Sequence, residues 1–311
     1  MVSKPSRVAV RALRASVFLL LALVVTVHHA GALEAPPAPP SSEGDLPLWV
    51  LTHEGDTLYL LGSVHMLRPE AYPLDEALTE AFRSAQVVAF ELDFAEFEAG
   101  LQTMMQRGSY QDGRTLRNKL SDGTFRELED RMEGLGVPMA LLENMKPWMA
   151  SMMLSALIIQ EAGYEAEAGV DLHFYEQAVE DGREVVALET IEEQISVFDD
   201  LSTEAQVAFL ESTLEELDQA VEQMDEMSRM WETGDGQALA EALTESLLAH
   251  PEVAEALLYE RNRNWVPQIE ALLERPERAI VIVGAGHLVG EGSVVELLRA
   301  RGYFVEQWGS E

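Results

Sequence analysis

Apolar positions along the chain change period several times. Leu48-Trp-Val-Leu-Thr52 and Thr57-Leu-Tyr-Leu-Leu61 are β-prone runs with the turn-like cluster His53-Glu-Gly-Asp56 between them, which predicts a hairpin. Between 74 and 85 the period becomes helical, with Leu74, Ala77, Leu78, Ala81 and Phe82 on one face. Short buried strands are expected at Val87–Phe90, ending at Glu91, and at Glu184–Leu188, ending at Glu189. Residues 95–182 read as mostly helical, divided by glycines, with an unusually apolar helix from Met149 to Ile159 after Lys146-Pro147-Trp148 and another from Gly169 to Glu180.

No strand signal appears between 191 and 275. Thr203 with Gln206 three residues on is a candidate capping box. From there Val207, Leu210, Leu214, Leu217, Val221 and Met224 recur at steps of three and four, the stripe of an amphipathic helix. Helices are also expected over 236–249 and 252–274. Ala279–Val283 is the most apolar strand, followed by a helix near 292–300 and a last strand from Tyr303 to Gln307. The 191–275 stripe is expected to pack on the sheet rather than to serve a helical interaction protein.

The first 32 residues follow a different grammar. Lys4, Arg7, Arg11 and Arg14 precede an apolar run from Ala15 to Val27, and Ala30-Gly31-Ala32 offers a small-x-small cleavage site. This reads as a secretory signal, and therefore as export to a periplasmic or extracellular setting. Uncleaved, the segment would be an N-terminal membrane anchor; after cleavage no stretch is long and apolar enough to span a bilayer. Residues 33–47 form a Pro-rich spacer, and 48–311 a single domain.

Composition narrows the chemistry. Of 311 residues, Lys and Arg number 21 against 55 Asp and Glu, a formal net charge of −34. Such a surface suits solubility and argues against a nucleic-acid partner, whose phosphates need clustered Lys and Arg. With no cysteine, thiolate metal sites, disulfides and cysteine nucleophiles are excluded. What remains for polar chemistry is carboxylate and seven histidines, five of them beyond residue 32.

Two of those five occupy matching contexts. Leu58-Tyr-Leu-Leu-Gly62-Ser-Val-His65 and Ile280-Val-Ile-Val-Gly284-Ala-Gly-His287 both read apolar strand, then Gly-x-x-His. Glycine lets the chain turn sharply off a buried strand, and the carboxyl rim of an open α/β sheet is where ligands bind. With Glu91 and Glu189, four strands each deliver a proton-transfer or metal-competent group to a strand end. If those strands are parallel neighbours, the four groups converge. His53, His173 and His250 read as structural or exposed. The chain has no His-Glu-x-x-His, Gly-x-Ser-x-Gly or Gly-x-x-x-x-Gly-Lys motif, and the Gly284-x-Gly286 pair lacks the correctly spaced third glycine of a dinucleotide loop.

These motifs resemble the TraB/GumN family, which also contains the Tiki proteases that act on Wnt proteins. The segments that carry the likeness are Leu48-Trp49, Tyr59-Leu-Leu-Gly-Ser-Val-His65, Glu91-Leu-Asp93, Lys146-Pro147-Trp148, Gly169-Val-Asp171, Leu188-Glu-Thr-Ile-Glu-Glu-Gln194, Arg261-Asn262, Gly284-Ala-Gly-His-Leu288 and Gly302-Tyr303. The resemblance implies an α/β fold tending to α+β, shared with erythromycin-esterase and ChaN-like proteins. Its core would be a central mixed sheet flanked by helices, in two related halves with large helical insertions. It implies an exported metal-dependent hydrolase, peptidase-like, acting on a peptide or a small amide or ester. His65 and His287 would be metal ligands or catalytic groups, with Glu91 a ligand or the nearby acid or base. Arg261 would stabilise a developing oxyanion, and Asn262 would position substrate. Glu189 is added by the strand-end argument. The implied cofactor is a divalent ion, Mn²⁺, Co²⁺ or Zn²⁺, which would acidify bound water and polarise a carbonyl. The alternative is a non-catalytic envelope protein whose histidines hold a metal or haem, or which binds a peptide.

Overall fold

The computed structural model describes residues 46–309 apart from 237, 240, 241 and 243–250. The signal-sequence reading, most of the spacer, most of the helix expected over 236–249 and the reading of His250 lie outside the described residues.

The fold is α/β, built on one mixed six-stranded sheet. Its strands are β1 (Leu48–His53), β2 (Asp56–Ser63), β3 (Val87–Phe90), β4 (Glu184–Ala187), β5 (Ala279–Gly284) and β6 (Phe304–Gln307), in the spatial order β4-β3-β5-β2-β1-β6. β1 and β2 form the expected antiparallel hairpin, with His53 opposite Asp56. Its two-residue turn places Glu54 and Gly55 at positive φ (51° and 103°), the geometry whose twist matches the paired strands. β1 also pairs antiparallel with β6.

The four strands that end in candidate groups are parallel neighbours. β2 pairs with β5, β5 with β3 and β3 with β4. The β2–β5 register sets Ser63 opposite Gly284, so the two Gly-x-x-His motifs leave the sheet side by side, offset by one residue. The pairing continues beyond the β3 and β4 strand ends, where Glu189 N–H donates to the Glu91 carbonyl at 3.0 Å.

The main helices among the described residues are α1 (Glu76–Ser84), α2 (Phe97–Arg107), α3 (Asp122–Gly134), α4 (Pro147–Glu161), α5 (Val170–Glu180), α6 (Ile191–Asp199), α7 (Thr203–Glu216), α8 (Ala220–Glu232), α9 (Glu260–Leu273) and α10 (Val294–Ala300). Alternation along the strands assigns each face its cover. Leu51, Leu58, Leu60, Val281 and Val283 pack under Trp265, Ile269 and Leu272 of α9 and Val294 and Leu298 of α10. Leu48, Leu61, Val88, Ile280 and Ile282 pack under Leu78 and Phe82 of α1 and Phe174 of α5. All six residues of β5 are buried, as a central parallel strand covered on both faces must be.

A separate core gathers α2 to α4 with α6 and α7. Its centre is α4, buried on nearly every side through Trp148, Met149, Met152, Met153, Leu154 and Leu157. This helix is core, as its composition suggested. Among the described residues no helix is long and apolar enough to cross a membrane.

Two local expectations need correction. The cap of α7 is Ser202, whose hydroxyl accepts from Ala205 N–H at 3.1 Å, and Gln206 turns inward to the Asp199 and Leu201 carbonyls. A complete capping box is formed instead by Thr190 with Glu193, at the start of α6. The long apolar stripe is also not one helix. Leu210, Leu214 and Leu217 are buried in sequence, but the chain turns at 217–219 before α8 begins.

Candidate active site

His65, Glu91, Glu189 and His287 meet at the carboxyl rim of the parallel strands, and Arg261 reaches them from α9. A Cβ added at Gly284 would stand 3.3 Å from His65 Nε2, 3.2 Å from Glu91 Oε1 and 3.6 Å from His287 Cδ2. All three side chains therefore face one point at the end of β5. Gly284 has ordinary extended angles (φ −50°, ψ 133°), so its missing side chain leaves room there rather than relieving backbone strain.

His65 is aimed by α5. The first turn of that helix is fastened to the end of β2, where Val170 N–H donates to the Val64 carbonyl at 2.9 Å. Gly169 is obligatory at this crossing, because a Cβ would lie 2.5 Å from the His65 carbonyl oxygen. The next turn position is Asp171, whose Oδ2 lies 2.5 Å from His65 Nδ1, with both side chains at most 5% exposed. A carboxylate oxygen accepts, so His65 Nδ1 is the donor of this contact and Nε2 is left turned toward Gly284. The pair repeats the orienting logic of a carboxylate–imidazole dyad. Asp171 was absent from the expected site residues. Its signal lay in the Gly169-Val-Asp171 segment, but only the fold shows that this segment abuts β2.

Arg261 organises the other half. Just before it the helix widens into a π turn, Glu255–Tyr259, a feature that re-aims side chains. Its Nη2 donates to Glu91 Oε2 at 2.5 Å and to Glu189 Oε1 at 2.7 Å, its Nε to Glu189, and its Nη1 to the Leu257 carbonyl at 3.0 Å and to His287 Nε2 at 3.1 Å. A guanidinium has five N–H donors, and here each faces a protein acceptor. Arg261 in this arrangement has none left for a substrate oxyanion, the role the resemblance implied. Its geometry is that of a buried hub. Trp265 stacks under the guanidinium (4.6 Å) and donates to Glu189 at 3.2 Å.

Asn262 likewise serves the site from behind. It is buried (1% exposed), accepts from His287 Nδ1 at 2.6 Å and donates from Nδ2 to the Gly292 carbonyl at 2.9 Å. Its side-chain bonds go to His287 and Gly292. His287 thereby holds its proton on Nδ1 and presents Nε2 to Arg261. Burial, then the charge of Arg261 and proximity to His65, push its pKa well below the ordinary value. Glu189 is pushed up by burial, against the attraction of Arg261. For Arg261 burial acts downward, but Glu189 and Glu91 more than offset it and the guanidinium is held charged. His53 packs on Tyr303 and His173 on Tyr72.

A divalent ion would have to draw its ligands from groups already engaged. Both nitrogens of His287 are engaged, by Arg261 and Asn262, and both oxygens of Glu91 accept hydrogen bonds, from Gly284 N–H (2.7 Å) and Arg261. Among the described residues no three His, Asp or Glu side chains are placed to share an ion. The site as arranged does not fit a resident divalent metal: ligation by His287 would require Arg261 to release its Nε2.

The chain belongs to the TraB/PrgY/gumN family, whose model matches residues 47–307. Among individual relatives, the uncharacterized protein YbaP of Escherichia coli (strain K12) is 25% identical over 245 residues, covering 78% of this chain and 87% of YbaP. An uncharacterized protein of Treponema pallidum (strain Nichols) is 21% identical over 268 residues, 81% of this chain and 80% of the relative. The metalloprotease TIKI2 of Danio rerio is 23% identical over 299 residues, 80% of this chain and 58% of that protein. No solved structure matches the chain.

Proposed function

We propose that this chain is an exported hydrolase of amide or ester bonds, peptidase-like, in which His65 and Glu91 activate water. The observation that carries this reading is the convergence of His65 Nε2 and Glu91 Oε1 on one point beside Gly284. A water bridging the two acceptors, clear of the Gly284 backbone, would donate one hydrogen to each and keep its oxygen lone pairs for attack on a carbonyl carbon. As the bond to carbon forms, the water proton passes to His65 Nε2, and Asp171 stabilises the resulting imidazolium across the 2.5 Å contact. The carbonyl π electrons move to oxygen. Collapse of the tetrahedral intermediate expels the amine or alkoxide, which takes the proton back from Nε2. Arg261 holds Glu91 in place through the cycle by its contact with Oε2.

Distant relatives bear the name metalloprotease, which supports hydrolysis and leaves a metal-assisted version as the finer question. A Mn²⁺, Co²⁺ or Zn²⁺ ion would acidify water and polarise the carbonyl, but no step above requires it. The test is cleavage of a peptide library by the purified chain, read by mass spectrometry, with and without exhaustive chelation. Cleavage that survives chelation is the expected result. Cleavage abolished by chelation and restored by one ion would replace this mechanism with a metal-dependent one. Ligand binding with no cleavage would favour the non-catalytic alternative.

A further inference from the structure

The groups assigned to the reaction are shut away from solvent. Ser63, His65, Glu91 and Asp171 are at most 3% exposed, and the space they enclose with Phe90 and Phe94 has no room for a water molecule, still less for a peptide. Water and substrate must both reach His65 Nε2 and Glu91 Oε1, so this arrangement is a closed one and part of the wall has to move. The wall is uneven. Phe90, Leu92 and Ile282 are buried, and of the described residues that line the space Phe94 alone is partly exposed.

Phe94 begins a one-turn 3-10 helix, Phe94–Glu96, whose backbone bonds are local. Asp93 caps it by accepting from Ala95 N–H at 2.9 Å, Glu96 N–H donates to the Asp93 carbonyl at 3.0 Å, and Phe97 N–H donates to the Phe94 carbonyl. The turn can therefore swing as a unit and keep these bonds. Both flanks are anchored. Leu92 is buried in the core around α4, and α2 is pressed on α6 at Gly100, where a Cβ would lie 2.1 Å from Ile191 Cδ1. Tyr175 of α5 ties the turn down: its hydroxyl donates to Asp93 Oδ1 at 2.9 Å and its ring lies 4.9 Å from that of Phe94.

We propose that Phe94 is the gate of the active site and that the Tyr175–Asp93 hydrogen bond is its latch. Outward swing of the 3-10 turn withdraws the Phe94 ring and opens a path to His65 and Glu91, a local opening of the kind that admits substrate to closed sites. Asp171 on α5 and Arg261 on α9 keep their places, so opening leaves the reacting groups in register. The gate takes its purpose from the hydrolase reading, on which it rests, but its motion is measurable without turnover.

Diethyl pyrocarbonate acylates unprotonated imidazole and is much larger than water, so it should label His65 only while the gate is open. Exposed His53 serves as the internal control. The full chain, Tyr175→Phe and Phe94→Ala are labelled in parallel and mapped by mass spectrometry, and each is assayed for peptide cleavage. Tyr175→Phe keeps the ring and loses the latch. Loss of one hydrogen bond to a carboxylate raises the open population about 10-fold, so His65 should label about 10-fold faster with His53 unchanged, and kcat/KM should rise by a similar factor. Phe94→Ala should label His65 at least as fast. If either variant labels His65 no faster than the parent, or if His53 accelerates equally, the gate is overturned. Faster labelling with unchanged kcat/KM in an active enzyme also overturns it, because substrate would then enter elsewhere. Faster labelling of His65 with no cleavage by any of the three proteins retains the gate and sinks the hydrolase reading.

Discussion

Replacing Arg261 with Met removes the guanidinium from a buried cluster and keeps most of its apolar bulk over Trp265. Two carboxylates lose their cation at once, from contacts of 2.5 Å to Glu91 and 2.7 Å to Glu189, with the side chains 4% and 9% exposed. Breaking a buried pair by removing one partner costs about 3–5 kcal/mol. A second route gives a similar figure. A glutamate forced to keep its proton at pH 7, against an ordinary value of 4.5, costs about 1.4 kcal/mol per pH unit, or roughly 3 kcal/mol. The second route also fixes the sign with pH. The folded variant would retain protons that the unfolded chain releases above pH 4.5, so its deficit grows as pH rises and shrinks toward pH 5. Urea unfolding at pH 7 and pH 5 reads both quantities, and a domain of ordinary stability, about 5–15 kcal/mol, leaves the variant measurable. Adding Glu91→Gln and Glu189→Gln to Arg261→Met should recover most of the loss, and it supplies a folded comparison if the single variant fails to fold. A deficit below about 1 kcal/mol at pH 7, or one that does not change with pH, would refute the hub assignment.

Two further perturbations separate chemistry from stability. Gly284→Ala should leave stability within about 1 kcal/mol of the parent, because its backbone angles suit alanine, yet lower hydrolysis by about 100-fold by displacing His65 and Glu91; urea unfolding beside peptide cleavage distinguishes the two. His287 is held neutral by burial and by Arg261. Its folded pKa lies below the unfolded value of 6.5, so the unfolded chain binds the extra proton and stability falls as pH drops below 6.5, by up to about 1.4 kcal/mol per unit from this residue. The difference between the parent and His287→Gln in unfolding free energy at pH 7.5 and 5.5 isolates that contribution.

Much of this site could be read from residue pattern alone. Gly62-x-x-His65 and Gly284-x-x-His287 follow apolar runs that are strands, and the strands pair in parallel, so repetition of one local motif was a reliable sign of shared position. Glu91 and Glu189 were found by the same logic of strand ends. The roles of Arg261 and Asn262 were not legible, because they depend on where a helix some 70 residues from Glu189 sets its π turn, and on which acceptors happen to surround each N–H. Asp171 was missed for a related reason. Nothing within Val170–Glu180 distinguishes it from other acids of an acidic chain until Gly169 lets that helix end approach the His65 carbonyl. The α7 cap was misplaced by one residue because Ser202 and Thr203 are both good cap residues, and only backbone direction chooses between them.

In the proposed reaction His65 and Glu91 together activate water at the end of β5. The most direct measurement is the rate of peptide-library hydrolysis by the parent chain and by His65→Ala, purified in parallel and checked for the same unfolding transition. Hydrolysis by the parent and a loss of about 100-fold or more in the variant are expected, the range for removal of a general base. Equal rates in the two proteins, with the fold unchanged, would contradict it.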